Sequence, residues 1–173
     1  SWCLLPLPLP VRFEVKRRRD QAPPKGATPD GVMVIVIGGL TVGGTGKTPV
    51  LIALGRWLRH CGYRVGVISR GYRSQALGEA RQVAPNDEAT SVGDEPLLIR
   101  RELEVPVVIG RDRRQALDTL LQHNAIDIVL SDDGLQHYQL PRDLEIVVLD
   151  GQRGLGNGRL LPAGPLREPR ERL

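Results

Sequence analysis

The residues from Thr41 to Thr48, TVGGTGKT, have the types and spacing of a phosphate-binding loop. Glycines permit positive φ angles and close backbone approach, so successive N–H groups can turn towards an anion. A helix after the loop would add its free N-terminal donors and the positive end of its dipole. Lys47 is expected to reach the β- and γ-phosphates of a nucleotide, and the Thr48 hydroxyl to bind Mg²⁺. The predicted nucleotide-binding residues are Thr41, Val42, Gly43, Gly44, Thr45, Gly46, Lys47 and Thr48.

Thr41 departs from the general pattern G-x-x-x-x-G-K-(S/T), which has glycine at this position. The surrounding order is intact, because an apolar strand, a glycine turn, Lys-Thr and a helical pattern follow one another. A chance glycine-rich turn need not end in Gly-Lys-Thr at the start of a helix. The loop therefore keeps its interpretation as a nucleotide site.

Two acids end a later apolar run and are candidates for the metal site. The run from Ile126 to Ser131 predicts a strand, and Asp132 and Asp133 follow it. A strand beside the first one would place such an acid near Mg²⁺. The alternative is a solvated Asp-Asp-Gly turn, because these residues are common turn formers. Asp150, which ends the next strand, is a weaker candidate for the same role.

Several other polar residues have two open interpretations each. Asp94 could be a catalytic base or a helix N-cap, and the residues alone favour the cap. Arg70 follows a predicted strand and could contact substrate or belong to a turn. The arginines at 111, 113 and 114 could bind phosphate or form a solvated face. His137 is more typical of a structural histidine than of a catalyst.

Strand-like and helix-like segments alternate around these residues. Continuous β-branched runs predict buried strands, and apolar residues at helical spacing predict helices. The predicted strands are 32–37, 63–69, 105–109, 126–131 and 145–149, and the predicted helices follow residue 47 and span 111–123. This alternation implies a P-loop NTPase-like α/β fold, with a mainly parallel sheet between two layers of helices. Ligands of such sheets bind beyond the carboxyl ends of the strands, where the candidates lie.

Two further segments lack regular patterns. Residues 72–92 are polar and predict a long loop, which in a compact domain is usually functional or disordered. Residues 151–173 are rich in turn formers and show no clear strand.

The composition is that of one globular domain with an aliphatic core. The chain has 173 residues, 40% hydrophobic content and only 3% aromatic residues. A formal charge of +4 suggests acidic partners such as phosphates, nucleic acid or an anionic membrane, without choosing among them. Two distant cysteines and three scattered histidines show neither a disulfide framework nor zinc-ligand spacing.

Residues 1–31 form a separate segment before the domain at 32–173. An apolar, proline-containing stretch, SWCLLPLPLPV, precedes the basic cluster from Lys16 to Arg19. It is too short to span a bilayer, and its charges lie on the wrong side for a signal peptide. It could lie in a membrane interface near anionic headgroups, or it could be a disordered tail.

Two classes of regulatory nucleotide-binding protein fit poorly. A GTPase usually has N-K-x-D to read guanine, and the sequence contains no Asn-Lys dipeptide. Partitioning-type ATPases have a second lysine just before the two glycines, where this chain has Val42. Phosphoryl transfer to a small or lipid acceptor is favoured, and a membrane-associated P-loop ATPase switch with a protein partner is the alternative.

With these residues in hand, the chain resembles the tetraacyldisaccharide 4'-kinases, the lipid A kinases of Gram-negative bacteria. The resemblance rests on the stretches GGLTVGGTGKTP, VGVISRGY, VGDEP, GRDR, LSDDGLQH and LLPAGPLREP, which occur in order from about residue 32 to residue 169. Thr41 is ordinary in this family, whose loop commonly begins with Thr or Ser. The later stretches are more specific than the phosphate loop.

The resemblance implies transfer of the ATP γ-phosphate to the 4'-hydroxyl of a tetraacyldisaccharide 1-phosphate, in lipid A biosynthesis. It implies ATP and Mg²⁺ as cofactors, a lipid disaccharide substrate, peripheral contact with the cytoplasmic face of the inner membrane, and no nucleic acid partner. By position, Asp94 matches the aspartate that helps deprotonate the sugar hydroxyl, which reverses the preference for a cap. The other catalytic matches are Lys47, Asp132, Asp133 and His137, and the metal matches are Thr48, Asp132 and Asp133. The substrate matches are Arg70, Tyr72, Gln136, Arg167 and Glu168.

The chain also departs from the family's pattern. Family members normally continue for about as many residues again, and this second lobe closes over nucleotide and lipid. We therefore expect residues 32–173 to be the kinase domain without that lobe, with little activity by themselves. The family opens with an amphipathic or hydrophobic helix, which Pro6, Pro8 and Pro10 are expected to break here. Gly39 lies where Asn is common.

Overall fold

The computed structural model describes residues 8–22, 28–71 and 79–172. Its helices are α1 (Pro8–Asp20), α2 (Lys47–His60), α3 (Ala89–Val92), α4 (Asp94–Leu103) and α5 (Arg113–His123), with a final 3-10 turn at Arg170–Arg172. Its strands are β1 (Met33–Gly38), β2 (Val65–Ser69), β3 (Arg81–Gln82), β4 (Val107–Ile109), β5 (Ile128–Asp132) and β6 (Leu144–Val147). The predicted strands and helices are all present, with ends shifted by a few residues.

The six strands form one sheet in the order β3-β4-β2-β5-β1-β6. All neighbours are parallel except β3, which runs antiparallel to β4. Each parallel connection brings the chain back to the same end of the sheet, so the carboxyl ends share one edge. In the register of β1 with β5, Ile37 lies opposite Asp132. The phosphate loop after β1 therefore begins beside the two acids after β5.

Two apolar clusters hold helices on the two faces of the sheet. One contains Leu51 and Leu58 of α2 with Ile99 and Leu103 of α4. The other packs α5 against the sheet through residues such as Leu117. Strands β2 and β5 are buried along their whole length, which explains their continuous aliphatic sequences. The predicted three-layer arrangement is confirmed.

The expectation that prolines would prevent an N-terminal helix was wrong. Helix α1 begins at Pro8, and Pro10 lies in its first turn. The first turn of a helix needs no backbone N–H donors, so proline is tolerated there. Pro6 lies outside the described residues.

The predicted loop at 72–92 is partly structured. Residues 72–78 lie outside the described residues, but β3 and α3 occupy parts of the remainder. Both are very short, and the residues of β3 are exposed at the edge of the sheet. Such a strand has no buried face and hence no periodic pattern to detect.

Within residues 8–22, 28–71 and 79–172, no helix combines the length and the apolar character needed to cross a bilayer.

Candidate nucleotide site

The phosphate loop connects β1 to α2 and has the geometry expected of an anion-binding turn. Gly46 precedes the helix in the left-handed conformation, with φ 79°, and Gly43 has φ 101°. Residues with a Cβ atom rarely adopt such angles, so glycine is required at both positions. Helix α2 begins at Lys47, which directs its free N-terminal N–H groups towards the loop.

Position 41 does not require glycine, because Thr41 lies in an extended bridge. It forms an isolated antiparallel bridge with Leu166. On either side, the Val42 N–H donates to the Pro165 carbonyl at 2.9 Å and the Arg167 N–H donates to the Leu40 carbonyl at 2.7 Å. The segment LLPAGPLREP thus supports the first half of the loop, a distant pairing that the loop's own sequence does not reveal.

Asp132 ends β5 in a buried position, and Asp133 follows it. The Ser69 hydroxyl donates to Asp132 Oδ2 at 3.2 Å. Asp133 has a positive φ of 47°, which turns the chain at the end of the strand. Its carboxylate lies between two cations, with Lys47 Nζ 3.6 Å from Oδ1 and Arg167 Nη1 3.0 Å from Oδ2. The structure therefore brings Lys47, Asp133 and Arg167 together beside the phosphate loop.

The Asp132 carboxyl has a perturbed acidity. Burial raises its pKa to about 6, and the negative charges of Glu95 and Asp133 act in the same direction. The Ser69 hydrogen bond and the positive charge of Arg113 oppose this shift. A buried carboxyl near another acid is a favourable place for a cation, because the cation relieves the repulsion.

Arg113 is buried, contrary to the interpretation of the arginine cluster as a solvated face. It is 2% exposed, and its guanidinium donates to the carbonyls of Gly110 at 3.0 Å and Asp132 at 2.9 Å. Burial lowers its pKa to about 10, which leaves it protonated at neutral pH. It ties the ends of β4 and β5 together. The neighbouring Asp112, rather than Asp94, is the residue that caps a helix, through the N–H groups of Arg114 and Gln115.

His137 lies half-buried in a positively charged surrounding. Burial lowers its pKa to about 4, and the charges of Arg113, Arg70 and Arg142 add to this effect. Its imidazole is therefore neutral at neutral pH. A general base for that pH would need a pKa near 7, so the structure favours hydrogen bonding over proton transfer for this side chain.

Glu168 is fully buried and joins several neighbours. It accepts hydrogen bonds from the Tyr138 hydroxyl at 2.6 Å and from Gln136 Nε2 at 2.9 Å, and Arg172 Nε lies 3.2 Å away. Gln136 also reaches the Gly39 carbonyl at 3.4 Å. A direct contact between Glu168 and substrate, which the resemblance implied, does not fit this burial. Glu168 instead positions Gln136 next to the phosphate loop.

The remaining candidates lie around the same edge of the sheet. Asp94 is the first residue of α4 and is exposed, and the N-cap position belongs to Gly93. The charge of its neighbour Glu95 contributes, after burial, to the raised pKa of Asp132. Arg70 directly follows β2 and is exposed. Tyr72 lies outside the described residues.

The donor set beside the loop fits Mg²⁺ bound together with a nucleotide. No group of three or more His, Cys, Asp or Glu side chains in the described part of the chain could hold a metal ion by itself. Mg²⁺ typically takes one or two carboxylates and completes its shell with water and substrate phosphates. Thr48, Asp132 and Asp133 supply such a set, and the buried Asp133 Oδ1 has no hydrogen-bond partner among the described residues.

Comparison with known proteins decides the family. The family model of LpxK, tetraacyldisaccharide-1-P 4'-kinase, matches residues 1–173. The chain belongs to this family. The resemblance seen in the sequence motifs is thereby confirmed.

Two curated relatives from this family illustrate the similarity. The tetraacyldisaccharide 4'-kinase of Alcanivorax borkumensis is 51% identical over 170 residues, which cover 98% of this chain and 52% of the relative. That of Pseudomonas paraeruginosa is 56% identical over 142 residues, which cover 82% of this chain and 43% of the relative. The chain spans about half the length of these relatives.

A solved structure shares the fold. The LpxK of Aquifex aeolicus, crystallised in complex with ATP, superimposes with a TM-score of 0.83 at 33% sequence identity. The match covers 98% of this chain and 54% of that one.

The supporting role of three residues in the site was not predicted from the sequence. Ser69, Arg113 and Tyr138 hold Asp132 and Glu168 through hydrogen bonds. The position of Ser69 at the end of a strand was a usable signal, since strand ends meet at this edge. Tyr138 follows the DDGLQH stretch directly, but its partner lies in a distant segment and only the fold brings them together.

Proposed function

We propose that this chain carries the nucleotide-binding and phosphoryl-transfer site of an ATP-dependent tetraacyldisaccharide 4'-kinase in lipid A biosynthesis. The observation that supports it best is the cluster of Lys47, Asp133 and Arg167 beside a phosphate loop, in a member of this family. The γ-phosphate of ATP would pass to the 4'-hydroxyl of a tetraacyldisaccharide 1-phosphate.

The phosphate loop and Lys47 hold the β- and γ-phosphates in this proposal. Its glycine turn presents backbone N–H groups, and the Lys47 ammonium can move from Asp133 to the phosphate oxygens. Thr48, Asp132 and Asp133 would hold Mg²⁺. When bound there, Mg²⁺ supplies charge neutralisation at the phosphate oxygens. Arg113 keeps the end of β5 in place for this task.

Asp94 is the proposed base for the acceptor hydroxyl. Its carboxylate is exposed at the start of α4, where it can meet a substrate. As the sugar oxygen forms its bond to the γ-phosphorus, the bond to the β-phosphate oxygen breaks and ADP leaves. The hydroxyl proton passes to Asp94. Positioning and charge stabilisation provide the rest of the catalysis.

The acceptor is proposed to bind between α1 and the turn after β5. A cavity of about 390 Å³ lies there, lined by Gln136 and His137 and by the arginines at positions 18, 111 and 114. A neutral His137 can hydrogen-bond a sugar hydroxyl, and the arginines suit a phosphorylated sugar. Arg70 and Tyr72 are proposed to contact the same substrate.

Peripheral contact with the cytoplasmic face of the inner membrane is proposed for α1. Phe13 on this helix is 72% exposed, and its last turn carries Arg17, Arg18 and Arg19. An exposed aromatic side chain beside basic residues suits the headgroup region of an anionic membrane. Flotation with vesicles containing anionic lipid would test this: binding that is lost in Arg18→Glu/Arg19→Glu supports it, and equal binding to neutral vesicles contradicts it.

Transfer of labelled phosphate tests the proposed reaction. The purified full-length protein is incubated with Mg²⁺, γ-labelled ATP and the lipid disaccharide in detergent micelles. Label should appear in the lipid with the wild type and not with Lys47→Ala. Label released only as inorganic phosphate, with or without lipid, would favour an ATPase switch and contradict the proposal.

A further inference from the structure

Arg153 places a cation over the phosphate loop from the loop that follows β6. Its Nη1 atom lies 3.6 Å from the position that a Cβ atom would take on Gly43. The side chain is 72% exposed, so it can move without disturbing the core. The guanidinium therefore faces the backbone that is expected to hold phosphate.

Arg153 and the phosphate loop together line a cavity of about 370 Å³. Thr41, Val42 and Thr45 line one side of it, and Asp150 and Arg153 line the other. A cavity with a guanidinium on its wall favours a polar, anionic occupant.

The pairing of Arg153 with Asp150 is too weak to account for its position. Asp150 Oδ1 already accepts the backbone N–H groups of Gln152 and Arg153, each at 2.9 Å. Its Oδ2 lies 3.8 Å from Arg153 Nε, beyond hydrogen-bond distance. Exposed ion pairs of this kind contribute little to stability. The guanidinium donors thus remain available to a ligand.

The sheet places Arg153 opposite the other cations of the site. Strand β1 has β5 on one side and β6 on the other. Lys47 and Arg167 both lie near Asp133, on the β5 side, and share its charge. A nucleoside triphosphate carries more negative charge than these two partly neutralised cations balance.

We propose that Arg153 contacts the phosphates of the bound nucleotide from the β6 side of the phosphate loop, as a positioning cation that complements Lys47. This inference rests on the proposed function only in requiring a nucleotide on the loop. Asp150 then acts indirectly, because its two backbone hydrogen bonds hold the turn that carries Arg153.

Nucleotide binding by arginine variants tests the inference. The affinity of a fluorescent ATP analogue with Mg²⁺ is measured for the wild type, Arg153→Ala, Arg153→Lys and Arg159→Ala. Arg159 is exposed in the same turn-rich region and does not line the cavity, so it controls for loss of one positive charge. We expect Arg153→Ala to raise the dissociation constant about tenfold or more, Arg153→Lys to give a smaller rise, and Arg159→Ala to change it less than about twofold.

Salt dependence distinguishes a direct ionic contact from a structural effect. The loss of affinity between low and high salt should be smaller for Arg153→Ala than for the wild type, because an ion pair with phosphate is missing. Equal affinity of Arg153→Ala and wild type overturns the inference, as does a loss with unchanged salt dependence. If the wild type itself binds no ATP analogue, the result contradicts the proposed function and, with it, the role of Arg153.

Discussion

Lys47 and Asp133 face each other beside the phosphate loop, with Nζ 3.6 Å from Oδ1. This separation gives electrostatic attraction without a hydrogen bond, so the ammonium keeps its donors for another partner. Arg167 approaches the other carboxylate oxygen at 3.0 Å. Asp133 thus holds two cations near the loop and uses few of their hydrogen-bond donors.

Replacing Asp133 by asparagine should lower turnover about 10- to 100-fold. The amide keeps the shape of the side chain but loses the charge that holds Lys47, Arg167 and the proposed Mg²⁺. Steady-state kinetics of the full-length protein with ATP and the lipid disaccharide measure the effect. Asp118→Asn, on the exposed face of α5, is the matched control. Wild-type turnover in Asp133→Asn would remove Asp133 from the site.

Replacing Asp132 by asparagine should stabilise the fold at neutral pH. The folded-state pKa of Asp132 is raised from the ordinary 3.8 to about 6, so folding disfavours its charged form above pH 6. A shift of this size corresponds to about 3 kcal/mol. The gain in Asp132→Asn should be largest at pH 8, shrink as the pH falls through 6, and vanish below the unfolded-state pKa of 3.8. Denaturant unfolding without nucleotide or Mg²⁺ checks this, and a gain independent of pH would show that charge is not the cause.

The His137 imidazole should lower the free energy of unfolding as the pH falls, which is the opposite of the effect of the Asp132 carboxyl. Its pKa is lowered from 6.5 to about 4, so the unfolded chain binds a proton more readily between these values. Its contribution to stability is therefore lost as the pH falls from 6.5 towards 4. His137→Gln should lose less stability over this range than its parent. The comparison is made in the Asp132→Asn background, because Asp132 titrates in the same window. Identical pH dependence of parent and variant would contradict the predicted burial of a neutral imidazole.

Replacing Glu168 by alanine should destabilise the protein by about 2–3 kcal/mol, because it removes the hydrogen-bond acceptor of the buried Tyr138 hydroxyl and of the Gln136 amide. Arg172 keeps its ion pair with Glu145. Tyr138→Phe, which removes one hydroxyl from the same cluster, should cost only about 1 kcal/mol. Thermal unfolding ranks the two variants. If Glu168→Ala keeps the wild-type melting temperature and raises only the KM for the lipid, Glu168 contacts substrate and the structural role is wrong.

The five parallel strands and the helices α2 and α5 could be predicted from the sequence because their signals are local. Aliphatic runs such as 126–131 need both faces buried, and the glycines of the phosphate loop report their own backbone angles. Helix α1 was missed because proline was judged by type rather than by its position in the first turn. The shared location of the motif residues was predicted correctly, because parallel strands end at the same edge of the sheet.

The partners of these residues could not be predicted in the same way. Arg113 was expected to contact phosphate or lie on a solvated face, and Glu168 was expected to contact substrate. Both are buried instead, because carbonyls or side chains from other segments satisfy them. Such pairings depend on the register of the sheet and on the path of the segment 160–168, which no local pattern encodes. The role of Arg153 beside Gly43 is of the same kind.

Thr41 offers a test of how the phosphate loop is held. Thr41→Gly would restore the general motif, but Thr41 pairs with Leu166 in an extended bridge and is buried. Glycine there should lower stability by about 0.5–1 kcal/mol and leave ATP affinity no better than in the wild type. Gly43→Ala should instead weaken ATP binding, because its φ of 101° strains any residue with a Cβ atom. Denaturant unfolding and ATP titration of both variants decide the matter, and tighter ATP binding by Thr41→Gly would show that the bridge to Leu166 does not shape the loop.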